Sequence, residues 1–273
     1  MQKRKIPTIL SILCMVAGFL LLFYPDLSNM QKSMEHNAIL REYDMMIAQL
    51  SPEEIDLHLY TAATHNTRLS TQPLQLGLAA YLPDDYVETL YVQGVMAWID
   101  IPAIDVSLPV LHGTKPEVLA RGVGHLEGTA FPTGGYSTHS VLTTHSGMAG
   151  TRLFSDLHLL GYGDIFFVSV MGQRLAYEVD QITIVLPHEI ESLHITPGED
   201  LMTLITCTPI AINTHRLLVR GTRVPYVYYM AEEIVPMALS TGFTTRATTF
   251  CAFLVIYLFM WRTRSRPRVK PEI

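Results

Sequence analysis

Two segments of the chain combine residue types that can carry out acyl transfer. Residues 140–147 contain His145, and residues 203–209 contain Cys207, which Arg216 follows nine positions later. A cysteine thiolate can attack a carbonyl carbon, and an imidazolium beside it can stabilise the thiolate and donate a proton to a leaving amine. A guanidinium is suited to the oxyanion of a tetrahedral intermediate. The three side chains form a sufficient set for this chemistry.

The cysteine count draws attention to one sulfur atom. The chain has three cysteines, and two of them, Cys14 and Cys251, lie inside apolar runs where they act as small hydrophobes. Cys207 is then the only thiol of the segment between those runs, so it has no intrachain disulfide partner there. A single unpaired cysteine in an exported domain is a candidate reactive thiol, and the alternative is a buried, inert cysteine.

Other titratable residues compete for the same roles. His215 adjoins Arg216, but alternation along a strand would turn its side chain to the opposite face. Arg220 shares a face with Arg216 and lies about 13 Å further along the strand.

Cys207 lacks the cysteine partner that zinc spacing requires, and the sequence has no glycine-rich phosphate loop. We therefore expect no metal and no cofactor.

The elements that position these residues can be read from the pattern around them. His145 and Cys207 each stand at the end of a probable strand, where a rigid element can hold a side chain beside an open loop. From Val95 onward, short runs rich in Val, Ile, Leu and Tyr alternate with Gly, Pro and Asp, which predicts a β-barrel or β-sandwich. Residues 29–70 predict two helices, the second capped by Ser51.

Two uncharged apolar runs flank this part of the chain. Residues 7–24 follow three basic residues, and residues 247–261 precede five. These runs predict two membrane anchors with both basic flanks in the cytoplasm. The alternatives are a cleaved signal peptide for the first run and a buried core helix for the second.

The charge distribution agrees with an exported middle segment. Charged residues make up 16% of the chain and its formal net charge is -6, which argues against a nucleic-acid partner. The middle holds 24 acidic and 10 basic residues, so it favours cationic partners such as a substrate lysine. The predicted division is an anchor at 1–24, a helical extension at 25–93, a barrel at 94–232, and a transmembrane segment with a basic tail at 233–273.

Several segments resemble the sortase family, and specifically its class C, the pilus-assembling sortases. TLITCTP followed by NTHRLLVRG is similar to the family signature, and GVMAWIDIP, LPVLHG and GVGHLEG match further segments. Residues 140–157 resemble the family's histidine segment. The resemblance covers about residues 60–229 and implies a closed sortase-type β-barrel of about eight strands with N-terminal helices, flanked by transmembrane segments.

The resemblance also implies roles and a reaction. Cys207 would be the nucleophile, His145 the general acid and Arg216 the transition-state stabiliser. The class cleaves an LPxTG-like sorting motif between Thr and Gly, and a lysine amine of a pilin subunit then resolves the acyl-enzyme as an isopeptide bond.

The class usually carries an N-terminal lid in which an Asp-Pro-aromatic motif plugs the active site. The corresponding stretch here is Leu-Pro-Asp-Asp-Tyr at residues 82–86. Asp84 and Tyr86 could supply the acidic and aromatic parts, although the middle proline is missing. The alternative is an ordinary surface turn.

The sequence thus predicts a cysteine transpeptidase at the cell membrane, with an extracellular catalytic domain and both termini cytoplasmic. Its partners would be pilins or surface proteins with an LPxTG-like signal and a lysine acceptor. One alternative is a sortase that attaches proteins to the cell-wall peptide. Another is a membrane-anchored, non-catalytic module in which Cys207 is inert.

Overall fold

The structure, a computed structural model, divides the chain into two compact units. It describes residues 15, 17, 18, 24, 28, 31, 32, 34–71, 82–147 and 151–226. One unit is Gln31–Ala231, and the other comprises Met1–Met30 and Glu232–Ile273. In the second unit the few described residues, between positions 15 and 28, are helical.

Between residues 34 and 71, which the structure describes without a gap, two helices precede the barrel, as predicted. Helix α1 covers residues 34–47 and helix α2 covers Pro52–Leu69. The start of α2 is set locally, because Ser51 Oγ accepts from the Glu54 amide at 3.2 Å and the Glu54 carboxylate accepts from the Ser51 amide at 2.8 Å. This reciprocal pair satisfies two amides at the helix start and confirms the predicted cap.

Eight strands close into a barrel, which confirms the predicted fold. In barrel order, neighbouring strands are β1, β2, β3, β4, β7, β8, β6 and β5. The strands are β1 Ala97–Ile101, β2 Val106–His112, β3 Val123–His125, β4 Thr138–Thr143, β5 Ile165–Val170, β6 Gln173–Val185, β7 Asp200–Thr208 and β8 His215–Val224. A short helix, α3 (Pro116–Leu119), connects β2 to β3. The pairs β2–β3 and β4–β7 are parallel, and the others are antiparallel.

The central residues of strands β4, β7 and β8 are buried on both faces. Their inward side chains, such as Leu142, Leu204 and Val219, belong to the main core. Their outward side chains form a second cluster: Val141, Ile205 and Leu218 pack with Leu193, from the connection between β6 and β7. This outer cluster explains why each of these strands has adjacent apolar residues at its centre: Val141–Leu142, Leu204–Ile205 and Leu217–Val219.

The membrane predictions fall mostly on residues that the structure does not describe. Residues 247–261 lie outside the described part, and only four residues of the run 7–24 lie inside it. No helix among the described residues is long and apolar enough to cross a membrane. The two anchors and the boundaries at 24 and 232 stay predictions.

Candidate active site

Strand pairing places Cys207 beside Arg216. The antiparallel pair β7–β8 sets these two residues directly opposite each other. Opposed residues point to the same face, with Cβ atoms about 4.5–5.5 Å apart. Cys207 is a free, partly exposed thiol, so it is accessible to a substrate.

The parallel pair β4–β7 brings His145 to the other side of Cys207. The last paired residues are Thr143 and Ile205, and the Thr144 amide still donates to the Ile205 carbonyl at 3.3 Å. His145 follows this last pair by two residues, as Cys207 does on β7, and the next residue, Ser146, donates its hydroxyl to the Cys207 carbonyl. The His145 carbonyl accepts from the Phe154 amide at 3.2 Å.

The side chains of Cys207 and Arg216 share the outer face of the barrel. Ile205 and Leu218, which belong to the outer cluster, are two positions from Cys207 and Arg216. Since side chains alternate with a period of two, Cys207 and Arg216 point outward as well. The same count from Val141 holds only as far as Thr143, where β4 ends, so the orientation of the His145 side chain stays a prediction. The structure therefore places Cys207 opposite Arg216 on β7 and β8, and His145 two residues beyond the end of the neighbouring strand β4.

Two side-chain hydroxyls link the segment that carries His145 to the strand that carries Cys207. Ser146 Oγ donates to the Cys207 carbonyl at 2.6 Å, and Thr206 Oγ1 donates to the Thr144 carbonyl at 2.9 Å. The sequence prediction missed both hydroxyls. Their only signal was position, since each stands next to a predicted catalytic residue.

The guanidinium of Arg216 is held by the backbone before it. Nη1 donates to the Asn213 carbonyl at 3.1 Å and to the His215 carbonyl at 3.0 Å. Both bonds use the same nitrogen, so Nε and Nη2 are the donors that can face a developing oxyanion. This geometry meets the requirement for a fixed donor.

The rival arginine, Arg220, is engaged elsewhere. Its Nε and Nη2 donate to the two carboxylate oxygens of Asp180 at 3.0 and 2.8 Å. Such a two-point pairing fixes the guanidinium and neutralises its charge. Arg220 is therefore engaged by Asp180, whereas Arg216 lies opposite Cys207 and stays the predicted arginine of the site.

The segment after β4 and the loop after β7 approach each other closely at Gly147 and Ile210. The Ile210 Cγ2 atom lies 2.5 Å from the position that a Cβ on Gly147 would take. Gly147 also has a φ of 70°, a conformation that residues with side chains rarely adopt. Ile210 and Ile212 are exposed, so the loop after β7 presents apolar side chains beside Cys207.

The residues predicted to form a lid lie in different surroundings. Asp84 is exposed, whereas Tyr86 is only 6% exposed. The Tyr86 hydroxyl accepts from the Gly113 amide at 3.1 Å and lies 3.0 Å from His125 Nδ1. Its ring stacks on Phe131, with centroids 5.6 Å apart. Tyr86 is therefore not part of an exposed turn.

The hydrogen bonds around His125 define its tautomer. Its Nε2 lies 2.9 Å from the Ala130 carbonyl, which can only accept, so Nε2 donates and Nδ1 accepts from the Tyr86 hydroxyl. Burial lowers the pKa of His125 to about 3 and raises that of Tyr86. Among the described contacts of Tyr86, none is with His145, Cys207 or Arg216. A lid function for Asp84 and Tyr86 stays a prediction.

The described residues contain no group of three or more His, Cys, Asp or Glu side chains that could hold a metal ion.

Comparison with known proteins finds sortases both by sequence and by structure. The sequence model of the Sortase domain family matches residues 99–224. Sortase C-1 from Actinomyces oris is 49% identical, with a TM-score of 0.59, over 63% of this chain and 99% of that one. Sortase C1 of GBS pilus island 1 is 38% identical, with a TM-score of 0.65, over 70% of this chain and 98% of that one.

A curated relative matches over a shorter region. Sortase A of Streptococcus agalactiae serotype III (strain NEM316) is 30% identical over 117 residues, which are 42% of this chain. The match spans 47% of that relative, so the chain covers only about half of its length.

Proposed function

The chain belongs to class C of the sortase family of cysteine transpeptidases, and on this basis we propose that it cleaves an LPxTG-like sorting motif and joins pilin subunits through lysine isopeptide bonds. The observation that carries the proposal is the pairing of Cys207 opposite Arg216 on β7 and β8, with His145 on the segment that continues the adjacent strand β4.

In the first half of the reaction, the Cys207 thiolate attacks the carbonyl carbon of the motif threonine. The carbonyl oxygen becomes an oxyanion, and the free donors of Arg216 stabilise it. His145, as an imidazolium, donates its proton to the nitrogen of the following glycine as the peptide bond breaks. The products are a thioester on Cys207, a free glycine amine and a neutral His145.

In the second half, a lysine amine attacks the thioester carbonyl carbon. His145 accepts the proton that the amine loses, and Arg216 again stabilises the oxyanion. The carbon–sulfur bond breaks, Cys207 leaves as a thiolate, and an isopeptide bond links threonine to lysine. The thiolate and the imidazolium are restored together.

The identity of the acyl acceptor distinguishes the proposed joining of pilins from its nearest alternative, the attachment of surface proteins to the cell-wall peptide. A relative of this chain is the sortase C1 of a pilus island, which favours a pilin lysine as acceptor. We propose that the protein works at the cell membrane with its barrel outside, where the acidic middle segment attracts cationic acceptors. A sortase that attaches surface proteins to the cell-wall peptide would use the same three residues with a different amine.

The test is to incubate the full-length protein with a purified pilin that carries a C-terminal LPxTG-like motif. We expect covalent ladders on a denaturing gel, absent with Cys207→Ala and absent when the acceptor lysine of the pilin is replaced by Arg. Pilin shortened at the motif without ladders would favour the cell-wall alternative. Intact pilin would contradict the proposal.

A second measurement tests the non-catalytic alternative. Thiol-directed labelling of Cys207 is expected to slow when His145 is replaced by Ala, because the imidazolium stabilises the thiolate. Equal labelling rates with and without His145 would favour an inert cysteine.

A further inference from the structure

The backbone that carries His145 lies beyond the regular part of the sheet. Strand β4 ends at Thr143, and the last ladder bond between β4 and β7 joins the Thr144 amide to the Ile205 carbonyl. His145 is therefore not itself held in the ladder, although its imidazole must stay level with the Cys207 thiol. The His145 carbonyl accepts from the Phe154 amide at 3.2 Å and the Gly147 amide donates to Ser155 Oγ at 2.9 Å, but neither bond connects this segment to β7.

Beyond the end of the ladder, two side-chain hydroxyls link the His145 segment to β7. We call this pair of hydrogen bonds the hydroxyl clamp. Thr206 Oγ1 donates to the Thr144 carbonyl at 2.9 Å, and Ser146 Oγ donates to the Cys207 carbonyl at 2.6 Å. One bond acts on the residue before His145 and the other on the residue after it. Both connect to β7 at Cys207 or at its immediate neighbour.

The hydroxyl clamp is largely shielded from solvent. Thr206 is buried, at 3% exposure, and Ser146 is partly buried, so water competes little for either hydroxyl. The Ser146 bond is at the short end of the range for a hydroxyl and an oxygen acceptor. Because it ends on the carbonyl of the nucleophile itself, a shift of the His145 segment away from Cys207 must break it.

We propose that Ser146 is a positioning residue that, together with Thr206, holds His145 at proton-transfer distance from the reacting atoms at Cys207. This inference rests on the proposed function. Ser146 acts through His145 and through the Cys207 backbone. A misplacement of about 1 Å in a catalytic group can cost on the order of 10²-fold in rate, so one hydrogen bond at this point matters for turnover.

The test compares kcat and KM for a sorting-motif peptide in the full-length protein. Ser146→Ala is expected to lower kcat by about tenfold or more and to change KM by less than about twofold, because substrate binding is left intact. Ser146→Thr keeps the donor and should recover most of kcat. Thr206→Val removes the other half of the clamp and should give the same loss, which covers the case of a poorly folded Ser146 variant.

Thr143→Val is the matched control. Thr143 Oγ1 donates to the Ile205 carbonyl at 3.2 Å, so it links the same two strands inside the regular ladder. Its loss should leave kcat within about twofold of the wild type, since the ladder still holds that position.

A pH profile separates positioning from a general structural role. The rate of Cys207 alkylation by iodoacetamide should fall at pH 6 in Ser146→Ala, because a displaced imidazolium stabilises the thiolate less. At pH 9 the rate should match the wild type. Thr143→Val should keep the wild-type profile at both values.

Three results would overturn the inference while the wild type is active: an unchanged kcat in Ser146→Ala, an equal loss in Thr143→Val, or no recovery in Ser146→Thr. A wild-type protein that forms no thioester would instead contradict the proposed function, and the inference would fall with it.

Discussion

Replacing Arg216 by Lys tests the assignment of the oxyanion donor. Arg216 stands opposite Cys207, and its Nη1 is fixed by the carbonyls of Asn213 and His215. These bonds set the plane of the guanidinium, so that Nε and Nη2 have a defined direction. A lysine keeps the charge but is a point charge on a flexible stem, which cannot reproduce two fixed donors.

The size of the effect follows from the number of donors lost. Removal of one preorganised oxyanion donor costs about 10²–10³ in kcat, or about 2.7–4 kcal/mol. Because the lysine retains its charge, we expect a loss of at least about 10²-fold in kcat. KM should change little, since the donors act on charge that develops in the transition state. The assay is steady-state cleavage of a fluorogenic peptide with an LPxTG-like motif.

Arg220→Lys is the matched control on the same strand and the same face. Arg220 lies about 13 Å from Arg216 along β8 and is paired with Asp180, so it supplies no donor to the site. The loss of its two-point pairing should cost about 1 kcal/mol of stability or less, because the pair is partly exposed. Equal losses of kcat at both positions, or an active Arg216→Lys variant, would refute the assignment.

Three further predictions concern the thiol, acid stability and the lid. Cys207→Ala should abolish both cleavage and polymer formation, measured on gels, because Cys207 is the free cysteine of the described residues. Denaturant unfolding should show lower stability at pH 5 than at pH 7. The pKa of His125 is about 3 in the folded protein and 6.5 ordinarily, so between these values only the unfolded state takes up the proton. This one group costs about 2 kcal/mol at pH 5, and His125→Gln should reduce the slope. If Asp84 belongs to a lid, Asp84→Ala should speed labelling of Cys207 by a bulky thiol reagent, whereas an unchanged rate would favour an open site.

The parts of the fold that sequence predicted correctly depend on local patterns. The cap at Ser51 uses residues three positions apart, so the sequence alone contains it. The strands before His145 and up to Cys207 are predicted from the short runs that end near these two residues. The register confirms that Cys207 lies beside Arg216, whereas the roles of the three residues were implied by the family resemblance and stay predictions.

The features that sequence missed depend on pairing between distant residues. Ser146 is 61 positions from Cys207, and its hydroxyl finds the carbonyl only because β4 and β7 are parallel in one particular register. The residues around Tyr86 are also typical of a surface turn, but its hydroxyl is hydrogen-bonded to the buried His125, which is 39 positions away. No local pattern encodes either contact.

The acyl-enzyme is the intermediate on which the proposed mechanism depends, and intact mass spectrometry detects it directly. The full-length protein is mixed with a sorting-motif peptide and quenched in acid. We predict an adduct with the mass of the peptide fragment that ends at threonine, located on Cys207 by digestion, released by hydroxylamine and absent in Cys207→Ala. Cleavage of the peptide by Cys207→Ala, or an adduct on another residue, would contradict the account.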